Sequence, residues 1–225
     1  MWCVPTIDAP FVERMTDVLE VQAKPLDPRE PVIALDERPV VLHDDARPGR
    51  PMRPGRLRRR DYEYVRRGTA NIFCVVEPKA GRHFTYATKN RKRPAFARTL
   101  ARIAQSYPDA RRIHLILDNL NTHTPASLTH FFGVEKGAEL AARFVFHYTP
   151  KHASWLNPAE IEASLVSREC LGRDRIGSLA ELRARVQKWN ATAHRTRRKI
   201  NWKFTVQDAR RVFGSWWFDA LVSEH

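Results

Sequence analysis

The chain has 225 residues, and its 39 Lys and Arg residues against 25 Asp and Glu residues give a formal net charge of +14 at pH 7. This length fits one large domain or two small ones, and a chain of this size buries roughly 70–75% of its unfolded surface without needing a disulfide or a metal to hold its core. A hydrophobic content of 43% excludes a disordered chain, and the longest apolar run, residues 72–76, is far shorter than the ~20 residues that span a bilayer.

The first part of the chain predicts a helix followed by a strand. Apolar residues at helical spacing indicate a helix over residues 9–21. The prolines that follow, of which the last is Pro31, impose an extended link. The apolar run of residues 32–35 is typical of a buried strand, and it leads directly into Asp36.

A long basic loop and a hairpin are predicted next. Residues 44–60 are rich in Pro, Gly and Arg, which favours a loop over packed structure. Residues 70–77 and 83–88 have the composition of two strands around a turn at Lys79-Ala80-Gly81.

The second half of the chain alternates between helices and strands. A helix is expected from about Pro94, and a strand over residues 112–117 runs into Asp118. Short helical pieces are expected at residues 127–132 and 138–142, and a further strand at residues 143–148. Five strands interleaved with helices predict an α/β fold with a mixed sheet and helices on both faces.

Two helices with recognisable N-termini close the chain. Asn157-Pro158-Ala159-Glu160 supplies an N-cap, a proline at the first helical position and an acidic residue in the first turn. Ser178 and Glu181 form a capping-box pattern that opens a helix to about His194. Further on, Trp216 and Trp217 are expected in the core or at an interface.

Three acidic residues lie where such a fold places a site. Asp36 and Asp118 follow apolar strands, and Glu160 lies at the start of a helix soon after the last strand. A carboxylate at the end of a buried strand is costly unless it is paired or binds a metal. Oxygen ligands of this kind suit Mg²⁺ or Mn²⁺, and two such ions support phosphodiester chemistry.

Each of these carboxylates also has a structural interpretation. Asp36 can pair with an arginine such as Arg38, Asp118 can cap the following turn, and Glu160 can be the capping partner of Asn157. A chain with 25 acidic residues offers many triples, so the spacing alone is weak evidence.

The residues around the carboxylates carry a family resemblance. The segments DNLNTH at residues 118–123 and HYTPKHASWLNPAE at residues 147–160 resemble the catalytic core of the insertion-sequence 630 family of transposases, bacterial relatives of the Tc/mariner elements. ALDERP at residues 34–39 is similar to the first catalytic block of that family. DYEYVRRGTAN at residues 61–71 also resembles sequences of the same family.

The resemblance implies an RNase H-like fold and a metal-dependent DDE recombinase. Asp36, Asp118 and Glu160 are then the catalytic residues and the ligands of Mg²⁺ or Mn²⁺, with two ions expected. Members of the family cut DNA at the element ends and join the freed 3′ ends to a TA target, without a covalent enzyme intermediate. Glu37 and Glu162 are the nearest alternative metal ligands. Glu37 is expected on the opposite face of the strand from Asp36, and Glu162 is expected to face away from Glu160.

Basic clusters are expected to bind DNA. Residues 47–67 contain nine arginines, and a second cluster lies at residues 195–203. Arginine offers a planar fork that suits phosphate oxygens. The residues predicted to contact DNA are Arg56, Arg58, Arg59, Arg60, Lys151, His152, Arg197, Arg198 and Lys199.

These observations predict an N-terminal helix and linker at residues 1–31 and a catalytic domain at residues 32–225. Relatives carry an N-terminal helix-turn-helix region, so we expect this chain to be the catalytic part of a longer protein or the product of a truncated or split gene. The expected partners are transposon ends and target DNA, with a homodimer on DNA and no membrane. Three widely spaced cysteines and the lack of a recognisable secretory signal favour a reducing cytoplasm. The resemblance implies that this is a bacterial cytoplasm, with association with the nucleoid when the chain is bound to DNA.

Two other functions remain open at this point. One is a non-catalytic transposase remnant that binds DNA or a partner transposase. The other is an RNase H-like nuclease that acts on RNA or on hybrids.

Overall fold

A central sheet and the helices on its two faces make up residues 7–214, the part of the chain that the computed structural model describes. The strands are β1 (Val32–Asp45), β2 (Tyr64–Glu77), β3 (Arg82–His83), β4 (Tyr86–Thr88), β5 (Ile113–Leu117) and β6 (Phe144–Tyr148). The α-helices are α1 (Ala9–Ala23), α2 (Arg93–Ser106), α3 (Ala126–Phe132), α4 (Val134–Ala142), α5 (Ala159–Leu165), α6 (Leu179–Thr196) and α7 (Val206–Phe213). Trp216 and Trp217 lie outside the described residues.

The sheet has six strands in the order β3-β2-β1-β5-β6, and β4 also pairs with β2. β1 is antiparallel to β2 and parallel to β5, and β5 is parallel to β6. The mixed sheet expected from the sequence is therefore present, with one strand more than the five expected. The extra strand arises because the segment predicted at residues 83–88 divides into β3 and β4, which share one edge of β2.

A side chain of α6 accounts for the break between β3 and β4. The Asn190 amide donates to the backbone oxygen of Thr85 at 2.6 Å and accepts from its backbone N–H at 3.2 Å. Both hydrogen-bonding groups of Thr85 are thus occupied by a side chain rather than by the sheet.

β1 and β2 are longer than the sequence predicts. They pair with each other from Ala34–Val76 as far as Asp45–Tyr64, with an irregularity between Leu42 and His43. Residues 46–63 connect the two strands, and isolated bridges join Arg50 to Arg59 and Arg53 to Arg56. The basic loop therefore extends from a two-stranded arm of the sheet.

The two faces of the sheet bury different helices, because alternate residues of a strand point to opposite sides. Ile33 and Leu35 of β1 belong to a core cluster with α2. Ala34, between them, belongs to a cluster with α1. One further cluster on that second face contains residues of α5 and α6. Helices on both faces, as predicted, are thus observed.

The capping box predicted at the N-terminus of α6 is present in part. Ser178 Oγ accepts from the backbone N–H of Glu181, as the capping box requires, but the Glu181 carboxylate accepts from the N–H of Gly177 instead of Ser178. The sequence did not predict α7, although Thr205 and Asp208 form a complete capping box there. Among residues 7–214, no helix combines the length and apolar character needed to cross a bilayer.

Candidate active site

The register of the parallel strands brings Asp36 next to Asp118. Val32 of β1 lies opposite His114 of β5, and Ala34 lies opposite Ile116. The same offset, continued by two residues, puts Asp36 level with Asp118, just after the pairing of the two strands ends. β1 continues beyond this point paired only with β2, so the side of Asp36 that is next to the end of β5 has no paired strand.

The first turn of α5 is attached to β1 by a buried side chain. The Asn157 amide donates to the backbone oxygen of Leu35 at 2.8 Å, and its side-chain oxygen accepts from the N–H of Ala159 at 3.0 Å. Asn157 therefore caps the helix as predicted and also ties it to the residue that precedes Asp36. Glu160, in this first turn, is exposed to solvent.

The electrostatics of Asp36 link the three carboxylates. Its pKa is raised from an ordinary value of 3.8 to about 7, first by burial and then by the negative charge of Glu160, with smaller contributions from the charges of Glu37 and Asp118. A hydrogen bond of 2.7 Å from the backbone N–H of Glu37 offsets part of this effect. The negative charges of Glu160, Glu37 and Asp118 thus act on Asp36 and disfavour its ionisation.

A buried histidine joins Asp118 to a fourth carboxylate. His123 Nδ1 lies 2.5 Å from Asp118 Oδ1, and His123 Nε2 lies 2.6 Å from Glu37 Oε1. Burial lowers the pKa of His123, but the hydrogen bonds and charges of Asp118 and Glu37 outweigh burial and raise it to about 9. The imidazole is therefore a cation at neutral pH and donates to both carboxylates. It also stacks on Phe96 of α2, with ring centroids 4.6 Å apart.

Several side chains near the ends of β1 and β5 carry atoms that could bind a metal ion. Within the described residues, Glu37, Asp118 and His123 have potential ligand atoms that all lie within 4.8 Å of one another. Both ring nitrogens of His123 are occupied by hydrogen bonds to carboxylates, so this group is an ion-pair chain rather than a set of free ligands. Asp36 and Glu160 do not belong to this close group. In their donor chemistry, the three predicted carboxylates supply the oxygen ligands that Mg²⁺ and Mn²⁺ prefer.

The side chains of Glu37 and Glu162, the other candidate ligands, point away from Asp36 and Glu160 as the sequence predicts. The Glu37 side chain is 2% exposed and points to His123. The Glu162 carboxylate is fully buried, 3.0 Å from His83 Nδ1 and 3.1 Å from Thr85 Oγ1. The contact of His123 with Glu37 was not predicted, since residues 86 apart in sequence give no local signal of an ion pair.

The residues predicted to bind DNA lie in three exposed segments. In the basic loop, Arg58 and Arg60 are near Asp174, at 3.2 Å and 4.0 Å, whereas Arg56 and Arg59 have no carboxylate partner among the described ion pairs. The other two segments are Lys151 and His152, which precede α5, and Arg197, Arg198 and Lys199, which follow α6.

The two smaller segments differ in how they are held. His152 adopts a left-handed backbone conformation, with φ of 63°, beside the N-terminus of α1. Arg197, with φ of 44°, terminates α6, and Arg198 is ion-paired to Glu169 at 2.6 Å.

A family model described as DDE superfamily endonuclease matches residues 31–183 of this chain. The matched residues contain β1, β5 and α5, and hence all three predicted carboxylates. Among curated proteins, none matches the chain.

Solved structures of the Mos1 mariner transposase share the fold. The Mos1 strand transfer complex matches with a TM-score of 0.55 and 13% identity over 99% of this chain and 64% of that chain. Mos1 paired end complexes with Mn and with Mg match with TM-scores of 0.52 and 0.51, each at 12% identity over 95% of this chain and 62% of that chain. The RNase H-like fold is thus confirmed, and this chain spans somewhat under two thirds of the length of the Mos1 chains.

Proposed function

Because the chain belongs to the DDE superfamily endonuclease family, we propose that it is the catalytic domain of a transposase of the Tc/mariner type. The reaction is metal-dependent cleavage of DNA followed by strand transfer. Water first attacks a phosphodiester, the bond from phosphorus to the 3′ oxygen breaks, and a 3′-hydroxyl is released. That hydroxyl then attacks a phosphodiester of target DNA, whose own 3′ oxygen leaves.

The observation that carries this proposal is the carboxylate cluster at the ends of β1 and β5. Asp36, Asp118 and Glu160 come from three separate elements, and their mutual repulsion contributes to the raised pKa of Asp36. We assign these three residues as ligands of Mg²⁺ or Mn²⁺, with two ions. When bound, such ions supply Lewis acidity that stabilises charge on the nucleophilic and leaving oxygens. The Mos1 complexes with Mn and Mg support this choice of ion.

The residues around the cluster hold it in place. The His123 cation fixes one oxygen of Asp118 through its hydrogen bond, and Glu37 holds the opposite ring nitrogen. Asn157 ties the first turn of α5 to β1, which sets the position of Glu160 relative to Asp36. We therefore interpret His123, Glu37 and Asn157 as positioning residues, since none of them needs to contact DNA for this role.

Transposon ends and target DNA are the proposed substrates. The paired end and strand transfer complexes of Mos1, together with the net charge of +14 of this chain, support DNA as the partner. We also propose a homodimer that forms on DNA, in a bacterial cytoplasm and associated with the nucleoid.

A plasmid-nicking assay with Mg²⁺ or Mn²⁺ tests the proposal. We expect the wild-type chain to convert supercoiled plasmid to nicked and linear forms, and we expect Asp118→Asn to abolish cleavage while still binding DNA. Absence of cleavage by the wild-type chain with either ion would support a non-catalytic remnant. Cleavage that survives in Asp118→Asn would refute the assignment of the site, and preference for a DNA–RNA hybrid over duplex DNA would indicate an RNase H-like nuclease.

A further inference from the structure

A basic groove lies at the edge of the sheet, and none of the residues predicted above to bind DNA line it. It has a volume of about 770 Å³ and runs between α2, α6 and the segment formed by β4 and the turn after it. α2 packs on one face of the sheet and α6 on the other, so the two helices enclose a gap beyond the edge strand β4.

The groove is lined by cations without counter-charges. Among the described residues, five basic side chains and no Asp or Glu line the groove. The five are Lys89, Lys92, Arg98, Arg102 and Arg183. All five are exposed, and no ion pair within residues 7–214 includes any of them. Arg185, on the same helix as Arg183, is by contrast ion-paired, with Glu181 at 2.9 Å.

The three arginines are held by contacts that do not neutralise them. The guanidinium of Arg102 lies 4.9 Å from the centre of the Tyr86 ring, and that of Arg98 lies 4.7 Å from the centre of the Phe131 ring. Arg183 Nε donates to the backbone oxygen of Ala87 at 3.4 Å. Stacking and one hydrogen bond orient these guanidinium groups while most of their N–H donors stay free for an anion.

We propose that this groove binds the phosphate backbone of the DNA on which the carboxylate cluster acts. An open groove with five cations suits a polyanion better than a single small anion, since one phosphate cannot contact them all. β4 lies two strand positions from β1, so about 10 Å separates the backbone of this edge from that of Asp36. The same DNA strand can therefore occupy both places. This inference rests on the proposed function, for which it supplies a DNA path along the β4 edge.

The test compares two triple variants that each remove three positive charges. The groove variant carries Arg98→Gln, Arg102→Gln and Arg183→Gln. The control variant carries Arg112→Gln, Lys136→Gln and Lys188→Gln, which change exposed residues outside the groove that have no described ion pair. Binding of a labelled 40-base-pair DNA duplex is measured in EDTA over a range of salt concentrations, so that no cleavage takes place.

We expect the groove variant to bind more weakly, with the slope of log affinity against log salt reduced by about 2.7, or 0.9 for each lost phosphate contact. The control variant is expected to keep a slope within about 1 of wild type. An unchanged slope in the groove variant, or an equal reduction in both variants, would overturn the proposal, because general charge rather than the groove would then account for binding.

A second measurement keeps the proposal testable if the groove variant does not fold. Gln187 lines the groove without carrying charge. Gln187→Cys, labelled with an aryl-azide crosslinker, is expected to form covalent adducts with the duplex above the background of the labelled chain without the new cysteine. Adduct yields equal to that background would contradict the proposal.

The outcomes also separate the groove from the proposed reaction. If wild type nicks plasmid DNA but the groove variant binds with an unchanged slope, the groove assignment fails and the reaction stands. If the groove variant shows the reduced slope but wild type does not nick, the groove binds DNA and the proposed reaction fails.

Discussion

At the scale of single residues, two glutamates two positions apart in one helix occupy opposite environments. Glu160 is exposed next to Asp36, whereas Glu162 is fully buried and hydrogen-bonded to His83 and Thr85. The difference follows from helix geometry, since residues two apart point in different directions. The exposed position of Glu160 suits a metal ligand that needs access to substrate. The buried position of Glu162 suits a carboxylate that holds α5 against β3 and the segment that follows β3.

We expect Glu160→Ala and Glu162→Ala to separate catalysis from stability. Glu160→Ala should abolish nicking and change the free energy of unfolding by less than about 0.5 kcal/mol, because the side chain is exposed. Glu162→Ala should lower the free energy of unfolding by about 3–5 kcal/mol, because it leaves the buried partners of the carboxylate without a counterpart. Urea unfolding measures both values, and a stable Glu162→Ala would contradict the packing role.

The raised pKa of Asp36 predicts a pH dependence of stability. With a pKa of about 7 in the folded chain against 3.8 ordinarily, the folded state holds a proton that the unfolded state releases between these values. The free energy of unfolding should therefore fall as pH rises from about 4 to about 7, and the loss should persist above pH 7.

Asp36→Asn tests this dependence. The neutral side chain should stabilise the metal-free protein by roughly 2–4 kcal/mol at pH 8 and by little at pH 4, while activity is lost. Thermal unfolding in EDTA at the two pH values measures the difference. Equal stability of wild type and variant at pH 8 would show that Asp36 ionises without cost in the folded chain.

At the scale of elements, α1 is part of the core. Met15 and Val18 are fully buried in the cluster that contains Ile116 of β5. A polar chain adds to this packing, since Asp17 contacts His147 at 2.9 Å, and His147 contacts His114 at 2.9 Å. The helix predicted at residues 9–21 is thus packed on the same sheet that carries Asp36 and Asp118.

We expect Met15→Ala to destabilise the whole molecule. Loss of this side chain should lower the free energy of unfolding by about 2–5 kcal/mol, because it leaves a cavity between α1 and the sheet. Glu20→Ala, on the exposed side of the same helix, is the matched control and should change stability by less than about 0.5 kcal/mol. Urea unfolding compares the two, and equal effects would mean that α1 does not depend on its buried face.

At the scale of the whole molecule, charge is divided between an acidic centre and a basic surface. The net charge is +14, although the carboxylates of Glu37, Asp118 and Glu160 all place negative charge near Asp36. The basic loop at residues 46–63 is held at its base by Arg175, which contacts Asp45 at 2.6 Å and the backbone oxygens of residues 61–63. This anchoring leaves the arginines of the loop on the surface, where phosphates can reach them.

The basic loop should contribute unequally to DNA binding. Neutralising Arg56 and Arg59 to Gln is expected to reduce the salt slope by about 1.8, or 0.9 for each contact. Neutralising Arg58 and Arg60 should reduce it less, because their positive charges are already partly balanced by Asp174. Titrations of a DNA duplex at several salt concentrations measure both slopes. If neither pair of changes alters affinity or slope, the loop does not contact DNA.

The sequence by itself determined most of the helices and strands, although not α7, and the candidate carboxylates. Apolar periodicity located α1, α2 and most strands, because local burial patterns depend on residues that are near in sequence. The motifs around Asp36, Asp118 and Glu160 indicated the family, and the match of the family model to residues 31–183 agrees with that resemblance.

Only the tertiary structure decided what lies across long separations in sequence. The ion pair of His123 with Glu37, the contact of Glu162 with His83, the division of the segment at residues 83–88 and the groove between α2 and α6 all join residues that the sheet brings together. No local pattern encodes these contacts, because they depend on strand register and helix packing. The net charge likewise indicated a nucleic-acid partner from the sequence, whereas the fold decided which cations are balanced by carboxylates and which remain free.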